Sequence, residues 1–178
     1  MSDSTDRVNG GIERAKPRSE GPVKLDDVDR ALLAALQDEG RITNVKLAER
    51  VGISPAGSHE RVRKLERRGV ITGYTARISP EAVGAGIHAF VSVSLRAHSK
   101  TELDAFCEAI REFPEVIGCW YMSGDADFLL RVMTADMGGF ERFVVSRLSS
   151  APNVGRVQSS FCLSSIKDEV SAPIEPAG

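Results

Sequence analysis

The sequence predicts an α+β protein built from two modules, and three observations carry that prediction. Residues 25–73 keep a helical hydrophobic period. Residues 87–168 alternate between strand and helix periods, and the pattern changes character once, near Pro80 to Gly86. Residues 74–86 then read as a linker strand or hinge. The ends, 1–24 and 169–178, mix Ser, Gly, Pro and charge without a hydrophobic period, and read as a disordered arm and a flexible tail.

In the first module Asp26 or Asp27 can cap a helix whose apolar stripe includes Val28, Leu32, Leu33 and Leu36, with Gly40 ending it. Thr43 or Asn44 opens a second, short helix carrying Val45, Leu47, Ala48 and Val51, closed by Gly52. Ser54-Pro55 pairs a capping residue with the residue best suited to the first helical position, and starts a third helix that runs to about Arg68. Its buried stripe is Val62 and Leu65, with Ser58 a turn earlier. Val70 to Ile78 reads as a strand or ribbon leading away.

In the second module His88 to Arg96 places Ala89, Val91, Val93 and Leu95 on one face, as a strand does. Leu103, Phe106, Cys107, Ile110 and Phe113 keep helical spacing until Pro114 prevents continuation. Val116 to Met122 and Ala126 to Met133 are strands with only Ser123-Gly124-Asp125 between them, which suggests a hairpin. Phe140, Phe143, Val144 and Leu148 mark another helix, and a last strand spans Val154 to Ile166. The order β-α-β-β-α-β is that of a ferredoxin-like split unit.

Composition narrows the function classes. With 178 residues, 42% of them hydrophobic, the chain suits one large or two small globular domains, and no apolar run is long enough to span a bilayer. The N-terminus lacks the apolar core of a secretory signal, and Cys107, Cys119 and Cys162 are odd in number and scattered. Both features lead to the expectation of a cytoplasmic protein with reduced thiols. The formal net charge of -2 shows no global basic excess. Locally the picture differs, because Ser54 to Gly69 holds Arg61, Arg63, Lys64, Arg67 and Arg68 against Glu60 and Glu66.

Two short helices around Gly52-Ile53-Ser54, the second of them basic, make a helix-turn-helix. A recognition helix offers its N-terminal residues to base edges and its cations to phosphates. Ser54, Ala56, Gly57, Ser58 and His59 therefore form the candidate base-reading end, and Arg61, Arg63, Lys64 and Arg67 suit phosphate or guanine contacts. The rival reading is a solvated charged face in an ordinary helical bundle. Ser58 is ambiguous, since its hydroxyl could bond back to the Ser54 carbonyl or face DNA.

The second candidate site is Tyr121-Met-Ser-Gly-Asp-Ala-Asp-Phe-Leu-Leu130. A metal would want more oxygen ligands than Asp125 and Asp127 supply, and His59, His88 and His98 are dispersed. Catalysis would want a constellation of groups in one cleft, and no Ser/His/Asp order, phosphate loop or dinucleotide fingerprint appears, so no catalytic residue is assigned. Asp125 behind Gly124 suits a turn residue. Asp127, at the start of an apolar strand, needs a partner if buried, and the ammonium of a free amino acid could supply it.

These motifs together bring a family into view. LDDVDR, DEGRITNVKLAERVGIS, RVRKLERRGVITGY, PEAVGAG and GDADFLL resemble, in order and spacing, the Lrp/AsnC (feast/famine) transcriptional regulators, and the likeness runs from residue 25 to about 169. The resemblance implies a winged-type helix-turn-helix followed by a ferredoxin-like (RAM/ACT-like) ligand-sensing and oligomerisation domain. Double-stranded DNA and a small amino-acid effector are the partners implied, with homodimers that assemble to tetramers or octamers, and neither cofactor, metal, membrane nor enzymatic activity. The effector set implied is Met122, Gly124, Asp125, Ala126, Asp127 and Ser159. The family's Thr-x-Thr pair on the last strand reads Val157-Gln158-Ser159, so one hydroxyl is missing. An architectural DNA-compacting protein with little sequence preference is the alternative.

Overall fold

The computed structural model describes residues 23–168 and 172–174. Most of the expected arm, 1–24, and most of the expected tail, 169–178, lie outside the described residues. Two compact units emerge, one reaching to Ala76 and one spanning Arg77–Asp168, so the break falls inside the expected 74–86 connector.

The first unit is three helices: α1 (Asp27–Asp38), α2 (Asn44–Val51) and α3 (Pro55–Arg67). Each begins on a side-chain cap that satisfies an otherwise orphaned helical N–H. Asp26 accepts from the Asp29 amide at 2.7 Å, Thr43 from Lys46 at 3.4 Å and Ser54 from Gly57 at 3.1 Å. Gly52 closes α2 with φ 75°, a left-handed conformation that turns the chain into α3. Leu32, Ala35 and Leu47 form the core, with Val28, Leu36, Ile42, Val51, Ile53 and Val62 packed on it.

The ribbon expected at Val70 to Ile78 is corrected, because no strand forms there. The amides of Val70 and Ile71 both donate to the Leu65 carbonyl, finishing α3. An extended segment becomes a strand only when another pairs with it, and among the described residues none does. Tyr74 is instead held by its hydroxyl, which donates to Glu66 Oε1 at 3.0 Å.

The second unit is a four-stranded antiparallel sheet of β1 (Ile87–Leu95), β2 (Val116–Tyr121), β3 (Phe128–Thr134) and β4 (Val154–Phe161), in the order β2-β3-β1-β4. Helix α4 (Lys100–Arg111) and α5 (Met137–Arg142) pack on the face made by Ala89, Val91, Val93, Leu130 and Val132. Phe106, Ile110, Phe140, Phe143 and Leu148 fill that layer. The expected helix around Phe140 to Leu148 is irregular: α5 passes into a π-helical turn, Phe143–Arg147, and a 3-10 turn, Leu148–Ser150. The last strand ends at Phe161 rather than Ile166. The element order is the one expected from the hydrophobic periods.

Candidate functional site

Helix α3 turns by about 100° per residue, so Ser58 and Leu65 mark the side opposite Ala56, Glu60, Arg63 and Arg67. Ser58 and Leu65 are buried, while those four are exposed. Lys64 flanks the outer line on one side and His59 on the other. The outer line is the exposed side of α3. The side chains of Arg63, Lys64 and Arg67 have no ion pair or hydrogen bond among the described residues, which leaves their charges available to a polyanion.

Two residues of the expected DNA-contact set are corrected by this geometry. Ser58 is fully buried and cannot face DNA. Nor does it bond back to Ser54, whose carbonyl takes the Ser58 N–H at 2.9 Å, while the Ser58 hydroxyl oxygen is buried without a partner. Arg61 turns inward toward α1, its guanidinium reaching Asp26 Oδ2 at 2.7 Å and Asp29 Oδ1 at 2.8 Å. Asp26 is held below the usual carboxylate range, first by the Asp29 amide and then by Arg61. Arg61 thus clamps the start of α1 onto α3.

Ser54 serves as the cap of α3, and a Cβ at Gly57 would stand 3.2 Å from the Ser54 hydroxyl. The missing side chain at Gly57 therefore has a local use in the cap, besides any close approach to DNA. His59 borders a cavity of about 270 Å³ with Asn44, Leu47, Val62 and Tyr74, at the edge of the outer line.

The orphaned Ser58 hydroxyl yields a prediction. Removing it with Ser58→Ala should stabilise the helical unit by about 1–2 kcal/mol, because a desolvated, unbonded polar atom disappears at little cost in volume. Hydrogen exchange of the α3 amides in the full chain should slow by roughly tenfold. Unchanged or faster exchange would mean that the hydroxyl finds a partner in solution.

The acidic turn joins β2 to β3 and spans Met122 to Asp127, wider than the three residues expected. Its neck is closed by the Met122 N–H donating to the Asp127 carbonyl at 2.8 Å. Asp127 is anchored twice more: its N–H donates to the Val93 carbonyl at 3.0 Å, and its carboxylate accepts from the Leu95 N–H at 2.7 Å. His98 Nε2 lies 3.0 Å from the second carboxylate oxygen. The Leu95 amide is the main reason that the Asp127 carboxyl sits below its ordinary range, with His98 adding to it. The turn is therefore tied to β1.

Asp125 stands differently. It is exposed at the tip behind Gly124, whose φ of 140° is one that side-chain-bearing residues rarely adopt. The Asp125 carbonyl accepts from Ser94 Oγ at 3.4 Å, but its carboxylate has no partner among the described residues. Met122 is also exposed and Ala126 half-buried. Ser159 is not brought to this turn within one chain. It pairs with Val91 on β4, and β1 separates β4 from β3. Trp120, beside the turn, lies over Gly118 on the sheet.

A second polar cluster is satisfied from within. Arg131 pairs with both carboxylate oxygens of Asp168, and its Nε–H donates to His88 Nε2 at 2.9 Å. That bond requires a neutral His88, whose pKa is lowered first by burial and then by Arg131. No group of three or more His, Cys, Asp and Glu side chains able to hold a metal occurs among the described residues. No helix among them is long and apolar enough to cross a membrane.

Both units have counterparts in known proteins. Residues 25–72 match the family described as winged helix-turn-helix DNA-binding, and residues 88–172 the Lrp/AsnC ligand binding domain. A leucine-responsive regulatory protein of Rhizobium meliloti is 41% identical over 152 residues, covering 85% of this chain and 97% of the relative. The HTH-type transcriptional regulator AldR of Mycolicibacterium smegmatis is 40% identical, covering 86% and 90%. Among solved structures, a transcriptional regulator of Neisseria meningitidis in complex with L-Met is similar at a TM-score of 0.81 and 41% identity, over 84% of this chain and 97% of that one. These relatives are transcriptional regulators rather than enzymes, and they match across the helical unit and the sheet unit alike. A chain that carries both halves in this order, at this identity and over nearly the whole length of its relatives, belongs to the Lrp/AsnC family of transcriptional regulators.

Proposed function

We propose that this regulator binds DNA sequence-specifically, and that a small amino acid taken at the Met122–Asp127 turn alters how its copies assemble and so how their α3 helices meet DNA. The observation that carries the reading is Asp125. Its carboxylate is exposed and unpartnered at the tip of a turn whose base is fixed to β1 by two hydrogen bonds, from the Asp127 N–H to the Val93 carbonyl and from the Leu95 N–H to the Asp127 carboxylate. A fixed, unpaired carboxylate suits an α-ammonium group, and the amides of a glycine turn suit an α-carboxylate. The L-Met bound by the Neisseria relative supports the same ligand class.

A single α3 neutralises few phosphates and holds DNA weakly. A homodimer would offer two such helices about 34 Å apart, one helical turn of DNA, and gain through avidity. Assembly to tetramers or octamers would multiply that gain. Ser159, remote from the turn within one chain, would contribute only if a second copy brings its β4 alongside. The effector must bind one assembly better than another, because equal affinity shifts nothing. The reading asks for no metal or cofactor and for a cytoplasmic location.

Thermal-shift screening of the full chain against the proteinogenic amino acids tests the ligand. A ligand present at a hundred times its Kd stabilises by about 2.7 kcal/mol, a readily visible shift. Gel filtration and footprinting with and without the hit then follow assembly and DNA contact. Unchanged assembly together with unchanged DNA affinity would overturn the effector reading. Uniform rather than discrete protection would favour the architectural alternative.

A further inference from the structure

The outer line of α3 contains an acid. Glu60 is exposed, one turn after Ala56 and one turn before Arg63 and Lys64, on the side opposite the buried Ser58 and Leu65. It is the carboxylate set in the middle of the surface that faces DNA. We infer that Glu60 is a base-reading residue, which accepts a hydrogen bond from a cytosine amino group in the major groove and so sets the sequence preference of the helix. This inference rests on the reading of α3 as a sequence-specific recognition helix.

Electrostatics supports that role. A carboxylate brought against a phosphate backbone is repelled, so Glu60 weakens binding to any duplex that offers it nothing. Compensation has to come from a donor on a base edge, because phosphates and sugars present mainly acceptors. In the major groove cytosine N4 is the donor that Glu and Asp are suited to receive, and adenine N6 offers a similar group. The same residue therefore penalises wrong sites and rewards the right one, as specificity through unfavourable alternatives requires.

The bland role for Glu60 is a helix-surface ion pair with a cation three or four residues on. Both Arg63 and Lys64 lie at that spacing. Neither is paired with Glu60, and the Glu60 carboxylate has no hydrogen bond or ion pair among the described residues. Nor does it cap α3, a task done by Ser54. The carboxylate remains poised toward the groove with no internal use. Ala56, one turn earlier, leaves room beside it for a base pair to approach.

The test is a binding selection from a random duplex library with the full chain, comparing wild type with Glu60→Gln and Glu60→Ala. Wild type should show a C·G preference at one position of each half-site, worth about tenfold against the alternatives. Glu60→Gln should lose that preference and move it toward A·T, because an amide pairs bidentately with adenine. Glu60→Ala should accept all four base pairs at that position and bind random DNA more tightly than wild type. Preferences at the other positions should persist in both variants.

Three results would overturn the inference. The base preference could survive in both variants while their affinity for random DNA rises, which would make Glu60 a source of general repulsion only. The preferences could also survive while the thermal stability of α3 falls, which would make it a helix-surface partner. Wild type could select no base at any position, and then the sequence-specific reading of α3 falls along with the role of Glu60. The first two outcomes leave that broader reading intact.

Discussion

Replacing Arg63 and Lys64 together by alanine is expected to weaken DNA binding by roughly one to two orders of magnitude at moderate salt and to flatten its salt dependence. Each phosphate contact that disappears lowers the slope of log K against log salt by about 0.9. Both side chains are exposed and unpaired on the outer side of α3, so their loss removes phosphate contacts without disturbing the helix packing. Arg61→Ala is the informative control. Its guanidinium is engaged by Asp26 and by Asp29, whose side chain is only 11% exposed. That substitution should cost about 1–2 kcal/mol of stability in the helical unit, between the values for exposed and buried pairs, and leave the salt slope unchanged. Fluorescence anisotropy across a salt series, with thermal melts alongside, reads both effects. If Arg61→Ala flattened the slope as much as the double substitution, the rotation assigned to α3 would be wrong.

The contrast between Arg61 and Arg63 also shows how far the sequence could be read. Both belong to one basic run, and composition alone treats them alike. Two residues on a helix differ by about 200° in direction, enough to send one toward α1 and the other to the exposed side. What decides the direction is Asp26 and Asp29, 35 and 32 residues earlier, and only the packing of α1 on α3 brings them near. Ser58 was legible as part of the buried stripe, because its spacing to Val62 and Leu65 is local. That its hydroxyl goes unbonded depends on what α1 and α2 place around it, which no local pattern encodes. Glu60 could have been found from spacing, since it lies four residues after Ala56 and three before Arg63, but counted only against the net charge it disappears among the cations.

The sheet unit divides in the same way. Alternation in Ala89, Val91, Val93 and Leu95 reveals a strand facing a core, and the order of elements follows from the sequence of periods. Register between distant strands does not. Ser159 is placed by its pairing with Val91, and this puts β1 between it and the acidic turn. The ribbon at Val70 to Ile78 illustrates the opposite limit, a β-prone composition with nothing to pair with among the described residues. For the acidic turn, the demand that Asp127 have a partner was legible from its position before an apolar strand, but the ligand ammonium expected there is replaced by groups of the chain itself. The partners themselves, the Leu95 amide and His98, sit 32 and 29 residues upstream.

That partnership separates the two aspartates by experiment. Asp127→Ala removes a carboxylate that holds the Leu95 N–H at 2.7 Å and faces His98, so it should destabilise the sheet unit by about 2 kcal/mol, the scale of a charge-assisted hydrogen bond. Asp125→Ala removes a side chain without partners and should leave stability unchanged. Both should lose the response to the amino-acid effector while keeping basal DNA binding: Asp125→Ala because the ammonium loses its acceptor, Asp127→Ala because the turn that positions it loosens. The pH dependence supplies a second readout. The folded Asp127 carboxyl titrates below its ordinary 3.8, so the unfolded chain takes up the proton first as pH falls. Its stabilisation is accordingly complete above about that value and is lost as pH drops through the lower, folded pKa. The gap in stability between wild type and Asp127→Ala should therefore be full at neutral pH and close below pH 3.8, whereas Asp125→Ala should follow wild type throughout. Thermal melts across pH combined with effector titration distinguish the roles. A normal effector response in Asp125→Ala would move the ammonium site off the tip of the turn. Wild-type stability in Asp127→Ala at neutral pH would show that the anchor to β1 does not hold the turn in place.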